Sequence, residues 1–236
     1  MRLAADLHIH SCLSPCGDML MTPNNIVNMA RIKGLDVVAI ADHNTARNLP
    51  AAQAVAEECG VLLLPAIEAE TREEVHVLCY MPTVNAALAL GERLYEALPE
   101  TPNLPSFFGE QAMMNENDEV IGTEPRLLIQ STALSIEELA ALCRSLGGEP
   151  VPAHINRTSN SLINNLGFVP PGPAFTSVEV YRSLPVPEIA QTHRYHVLYS
   201  SDAHDLGAIF ERDNFINVEN RSVAALLAYL KSPKNL

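Results

Sequence analysis

Residues 6–19, DLHIHSCLSPCGDM, put two histidines, two cysteines and two aspartates within fourteen positions. Imidazole, thiolate and carboxylate at such spacing bind divalent metal ions, and two kinds of site can be built from them. Two thiolates with two imidazoles make a closed structural zinc site; imidazole with carboxylate suits Zn, Mn or Fe in an open one. The rest of the chain bears on the choice. Asp42 and His43 follow the apolar run DVVAI, Glu68 follows VLLLP, His76 lies within EEVHVLCY, His154 ends VPAH, and Asp202 and His204 end VLYSSDAH. One histidine beside an apolar strand is more often a hydrogen-bonded core residue than a ligand. Here six of the eight histidines sit at strand ends or beside a strand. A local Cys2His2 site would leave those remote residues without a common purpose, so imidazole and carboxylate are read as the ligands. Cys12 and Cys16 are read as small packing residues that shape the loop between His10 and Asp18, the alternative being a reactive thiol beside a metal.

Residues 3–8 read as a first strand. Thr22 caps a helix that has Pro23 at its first position and runs to Lys33, where Gly34 stops it. Residues 36–40 read as a buried strand, a helix over about 50–59 ends at Gly60, VLLLP is the next strand, and another helix covers about 84–98. Over 99–132 prolines, glycines and NENDE break the pattern, as expected of a lid or binding excursion. Phe107, Phe108, Met113 and Met114 in that stretch are candidates for a partner surface or, more ordinarily, for core packing. Ser135 and Glu138 form a capping box for a helix ending at Gly147. Strands follow at about 150–153, 177–181 and 197–200, and the last helix covers about 223–231. Strands alternating with helices predict an α/β fold, and such folds bind ligands at the carboxyl ends of their strands, where the ionisable residues fall.

The formal net charge of −13 repels polyphosphate backbones at long range and predicts no tight binding of duplex nucleic acid. A small anion drawn to a local cluster of metal ions remains compatible with it. No apolar run approaches the roughly 20 residues of a membrane span, and no basic segment leads into an apolar one as in an export signal. Five scattered cysteines, an odd number, argue for reduced thiols and a cytoplasmic location rather than a disulfide framework. The 236 residues suffice for a single α/β domain. Oligomeric state is not predicted.

The motifs DLHIHS, CGDMLMTP, ADHNT, IEAET with EEVH, PAH and SSDAH, in this order over residues 6–204, resemble the PHP (polymerase and histidinol phosphatase) metallohydrolases. The resemblance implies a single PHP domain over 1–236, a distorted (β/α)7-type barrel of parallel strands with an irregular insertion at about 99–132. It also implies a trinuclear centre of two to three divalent ions (Zn, Mn or Fe) with nine ligands at the C-terminal ends of the strands. His8, His10 and Asp202 would join Glu68 at the first ion, and Glu68 would bridge to a second held by His76 and His154. Asp18, His43 and His204 would hold the third.

Such a site hydrolyses phosphate esters through a metal-activated hydroxide, so the expected substrate is a small phosphorylated metabolite or nucleotide, with phosphate released. Asp42 is expected to fix the His43 tautomer, or else to cap the following turn. Arg157 and Arg182 are candidates to fork onto a phosphate. His193 and His196 read as packing or helix-end residues, and the polar stretch INRTSNSLINNLGF as a pocket wall or a solvated loop. Two alternatives stand beside this: an exonuclease-like phosphodiesterase acting on oligonucleotide ends, and a noncatalytic metal-binding sensing or scaffold domain, which the nine filled positions disfavour.

Overall fold

The first strand, β1 (Arg2–Ile9), is buried from Leu3 onward, and its pairing partners explain why. The computed structural model, which describes residues 1–234, flanks it with β2 (Val37–Ile40) in parallel and β11 (Phe215–Asn217) in antiparallel; β3 (Leu62–Leu63) completes the order β11-β1-β2-β3. Strand residues of both parities are buried. Leu3, Ala5, Leu7, Val37 and Ala39 share one apolar cluster with α7 (Val223–Lys231), whereas Ala4, Val38 and Ile40 join a second formed with the remaining long helices. This is the near-continuous burial of a sheet covered on both faces. Helices α1 (Pro23–Ile32), α2 (Leu49–Cys59), α3 (Val84–Ala97) and α5 (Ile136–Ser145) supply the second layer. The Thr22 hydroxyl caps α1 by accepting from the Asn25 amide, and Ser135 with Glu138 closes the expected capping box of α5.

The second sheet departs from the expected barrel of parallel strands. Its order is β4 (Ala66–Glu70), β5 (His76–Tyr80), β8 (Glu149–Pro152), and both pairings are antiparallel. Residues 71–75, which join β4 to β5, are too few for the crossover that parallel neighbours need, so the chain turns back as a hairpin. A parallel pair, β9 (Ser177–Glu179) with β10 (His196–Leu198), stands beside it. Single bridges, His43 to Glu68 and Ile9 to Ala203, link the sheets at one end. The strands thus form separate hydrogen-bonded sheets, not one closed ladder, among the described residues.

The 99–132 stretch is ordered rather than structureless. It holds a short α4 (Pro105–Phe108) and a hairpin of β6 (Ala112–Met114) and β7 (Val120–Thr123). Its turn, at NENDE, is closed by the Asn115 side chain accepting from the Asn117 and Glu119 amides at 3.0 Å each. Met114 is buried, whereas Phe107 is exposed. A short α6 (Leu162–Leu166) interrupts the polar stretch after His154. No helix among the described residues is long and apolar enough to cross a membrane.

Candidate metal centre

All the expected histidine ligands arrive at one end of the strands. His8 lies in β1 with His10 just past it; His43 follows β2, His154 follows β8, and Asp202 and His204 follow β10. His76 opens β5 rather than ending it, which puts it at the same end because β5 runs antiparallel to β4 and β8. A register shift between Asp6 and Ile9 moves Ile9 into the cluster formed with α1, α2, α3 and α5, although Leu3, Ala5 and Leu7 of the same parity lie in the one formed with α7. Two of the expected ligand positions carry backbone strain: His154 and Asp202 have φ of 28° and 52°. Non-glycine residues in the left-handed region cost on the order of 1–3 kcal/mol and persist where surrounding contacts over-determine them. For His154 one such contact is its amide donating to Glu179 Oε2 at 2.9 Å.

Glu68 is the hub. Its Oε1 lies 3.4 Å from His8 Nε2, 3.0 Å from His76 Nδ1 and 3.1 Å from His154 Nε2. Its Oε2 lies 3.3 Å from His10 Nε2 and 3.2 Å from His43 Nδ1. Asp202 Oδ1 stands 3.5 Å from His8 Nε2 and 3.2 Å from His10 Nε2. These groups suit a cation on two grounds. His8 Nε2 and His10 Nε2 face each other at 3.1 Å, and four buried imidazole nitrogens, His43 Nδ1, both of His76 and His154 Nδ1, have no hydrogen-bond partner. Buried polar atoms are almost always satisfied, and three of these exceptions, His43 Nδ1 and both nitrogens of His76, lie 3.0 to 3.5 Å from carboxylate oxygens of Glu68 or Glu70, which points to a ligand.

The partners of the outer ring nitrogens set the tautomers. His8 Nδ1 donates to Glu179 Oε2 at 3.1 Å, and His204 Nδ1 to the Asp202 carbonyl at 2.8 Å. The Ser14 hydroxyl donates to Asp42 Oδ1 at 2.7 Å, so it accepts from His10 Nδ1 at 2.9 Å. In each case Nε2 keeps its lone pair for the centre. Asp42 therefore acts on His10 through Ser14, and not on the His43 ring as expected; it also accepts from the Ser11 amide and hydroxyl at 2.7 and 2.6 Å.

Charge is shared across the cluster. Burial opposes ionisation of His8, but Glu179, Glu68 and Asp202 hold its imidazole well above the ordinary value. Burial likewise opposes the charge on His76, which Glu68 and Glu70 push up to about 9. Against the same burial, His76 and His8 hold Glu68 well below the usual carboxylate range, and His8 and His10 do so for Asp202. His43 is lowered by burial and then by the charge of His10. Without a metal, protons on imidazole occupy the space that a divalent ion would take.

A cavity of about 160 Å³ opens above the hub, with His10, Cys16, His43, His76, His154 and His204 among its lining residues. Arg157 reaches it too: Nη1 sits 2.8 Å from Asp202 Oδ2, and the guanidinium lies over the Tyr181 ring at 4.4 Å. Arg182 does not line it. That side chain donates to Asn214 Oδ1 at 2.7 Å and lies over the Phe210 ring at 4.5 Å. Asp18 is exposed, and its Oδ1 accepts from the Leu20 amide at 2.7 Å. His196 packs against Tyr229, with ring centroids 4.5 Å apart, away from the centre. Sequence reasoning missed Ser14, Glu70 and above all Glu179, whose one signal was a lone carboxylate in the apolar run VEVY. Because Glu179 holds both the His8 ring and the His154 backbone, Glu179→Gln is expected to weaken metal binding roughly 10- to 100-fold with the fold retained. Competition with a chelator of known affinity measures this, and wild-type affinity would contradict it.

No protein-family model matches the chain. Among solved structures, Endonuclease Q of Pyrococcus furiosus, a lesion-specific endonuclease, superposes with a TM-score of 0.69 at 21% identity over 98% of this chain and 56% of its own. A Bifidobacterium adolescentis protein assigned as a metal-dependent phosphoesterase superposes with a TM-score of 0.62 at 22% identity, covering 96% of this chain and 95% of its own. A two-domain Bacteroides vulgatus protein containing a predicted PHP-like metal-dependent phosphoesterase gives 0.59 at 18% identity, over 98% of this chain and 62% of its own. The chain has the fold of the PHP-like phosphoesterases. The sequence relatives of this chain are partial matches. An uncharacterized protein of Methanocaldococcus jannaschii is 38% identical over 79 residues, 30% of this chain and 46% of its own length. A 5'-3' exoribonuclease of Haemophilus influenzae is 33% identical over 76 residues, 31% of this chain and 27% of its own. The chain thus spans about half the length of Endonuclease Q and less than half of either relative.

One expectation is overturned here. Net acidity predicted no tight binding of duplex nucleic acid, yet Endonuclease Q, complexed with a 27-mer duplex carrying an abasic lesion at its active site, shares this fold with a TM-score of 0.67. Net charge sums over a whole surface, whereas phosphate is met locally, by metal ions and individual side chains, so the sum excludes neither class of substrate.

Proposed function

We infer that the chain is a metal-dependent hydrolase of phosphoester bonds. The observation that carries this is Glu68, buried at the strand ends of a PHP-like fold with five imidazoles within 3.4 Å of its oxygens. His8, His10, Glu68, Asp202, His76, His154, His43 and His204 would hold two or three divalent ions, Zn, Mn or Fe by donor type. Bound there, such ions supply Lewis acidity toward phosphoryl oxygen and a water acidified toward pKa ~7. The chain's own residues do the rest. Glu179 and the Asp42–Ser14 pair orient the rings of His8 and His10, and Arg157 offers a guanidinium to a phosphoryl group entering the cavity. In this reading residues 1–236 are one domain, and the 99–132 insertion contributes a cavity wall. Ile129 lines the cavity, and Asn44 donates to the carbonyls of Leu128 and Gln130 at 2.8 and 2.9 Å. All five cysteines are free, which supports a reducing, cytoplasmic setting.

A phosphomonoester or nucleotide is the first reading, with room in the cavity for a phosphoryl group beside Arg157. A second reading, a nucleic-acid phosphodiester, is favoured by the similarity to the exoribonuclease and by the fold shared with Endonuclease Q. Phosphate release from nucleotides and sugar phosphates, run beside cleavage of end-labelled single- and double-stranded oligonucleotides with added Zn, Mn or Fe, separates the two. No turnover of any of these with metal bound would overturn the assignment. In either case Arg157→Ala is expected to lower kcat/KM roughly 10- to 100-fold, the scale of a lost charged hydrogen bond, chiefly through KM. Arg157→Lys should restore part of it, and unchanged KM in both variants would remove Arg157 from substrate binding.

A further inference from the structure

Ligand atoms of His10, Cys16, His43 and His204 all lie within 4.8 Å of one another on the cavity wall. Cys16 is an exposed residue, yet its thiol takes part in this group because the loop behind it is pinned. The Asp18 amide donates to the His204 carbonyl at 2.9 Å, and a Cβ on Gly17 would collide with the Ser11 carbonyl oxygen. A further feature lies in the same cavity wall, where His43 Nδ1 also stands 3.2 Å from Glu68 Oε2. His43 is only 3% exposed, lines the cavity, and leaves its Nδ1 without a hydrogen-bond partner. His204, with Nδ1 tied to the Asp202 carbonyl, turns the lone pair of Nε2 outward from that bond. His10, whose Nε2 faces that of His8 at 3.1 Å, belongs with the neighbouring ion. Asp18, meanwhile, is exposed, and its Oδ1 accepts from the Leu20 amide.

We propose that Cys16, as a thiolate, together with His43 and His204, holds one ion of the centre in the role that the sequence resemblance gave to Asp18. This rests on the reading of the cluster as a metal-dependent hydrolytic site and refines which metal it takes. The thiol releases its proton to solvent when the ion binds. A soft sulfur donor with two imidazoles selects Zn, Fe(II) or Co(II) over Mg and Mn, so this position differs in preference from the carboxylate-rich ones.

The test is cobalt reconstitution of the full chain after chelation, in wild type and in the Cys16→Ser, Cys12→Ser, Asp18→Ala and Glu68→Gln variants. Sulfur bound to Co(II) gives a near-ultraviolet charge-transfer band that imidazole and carboxylate do not. Wild type, Cys12→Ser and Asp18→Ala are expected to show the band. Cys16→Ser is expected to lack it, and to bind one ion fewer or more than ~10-fold more weakly at that position, with an unchanged circular dichroism spectrum. A band that persists in Cys16→Ser, or an ion lost in Asp18→Ala instead, overturns the assignment while leaving the metal centre standing. Wild-type protein that binds no cobalt, indistinguishable from Glu68→Gln, overturns the underlying reading and this assignment with it.

Discussion

Glu68→Gln is expected to strip the centre of metal and to reduce phosphoester turnover on the order of 10³-fold, the scale of losing a group that stabilises developing charge, while the chain stays folded. The carboxylate is buried, and its two oxygens are shared among five imidazoles at 3.0 to 3.4 Å. The amide keeps the shape but changes the chemistry: one oxygen remains an acceptor, and the other position becomes an NH2 that donates toward ring nitrogens and cannot bind an ion. Anionic charge at the hub disappears with it. In the metal-free protein the loss is tolerable, because imidazoles no longer raised by Glu68 can release their protons and become neutral. Metal content by mass spectrometry and a thermal melt separate the effects. Full metal content with wild-type turnover would contradict the role given to Glu68.

Chelation is expected to abolish turnover, and the thermal stabilisation produced by restoring metal is expected to grow as pH rises from about 6.5 to 9. The sign follows from the raised imidazoles. In the metal-free protein His76 titrates at about 9, above the ordinary ~6.5 of an unfolded histidine. Its proton therefore stabilises the fold fully below pH ~6.5, and that contribution is lost as pH climbs through about 9. The ions act in the opposite direction: they need deprotonated rings and compete with protons, so their affinity rises over the same interval. Stabilisation by a ligand bound only to the folded state scales with the logarithm of its concentration over Kd. The gap between metal-loaded and metal-free melting temperatures should therefore widen with pH. A gap that is constant or that narrows would show that the imidazoles are not the metal ligands. His43, already held neutral by burial, should contribute little to the trend.

What could be read from the sequence was what is local in it. HIH, DHN, PAH and SSDAH each join their ionisable residues directly to a strand end, so predicting the strand also predicted where the side chain goes. The caps of α1 and α5 were legible for the same reason, since a hydroxyl and the amide three residues on make a short-range contact. Glu179 was not legible: one carboxylate in VEVY becomes meaningful only when β9 brings it beside His8, 171 positions away. β4 was not legible as a strand, since AIEAE carries two glutamates where a buried strand is ordinarily apolar; His76 meets both of them, and other imidazoles surround Glu68. Residues 71–75 are too few for the crossover that parallel neighbours need, so the β4–β5 pair is antiparallel where the resemblance implied parallel strands. Whether Asp18 or Cys16 turns inward depends on how Gly17 packs against Ser11, a tertiary contact with no signature in the spacing.

The central claim, that ions at this cluster make the chain a phosphoester hydrolase, is tested most directly by metal analysis of the purified protein coupled to turnover before and after chelation. The account predicts two or three divalent ions per chain, turnover of nucleotides, sugar phosphates or oligonucleotides that vanishes with the chelator, and its return when Zn, Mn or Fe is added. Turnover indifferent to chelation, or a single tightly held zinc with no phosphoester cleaved, would contradict it.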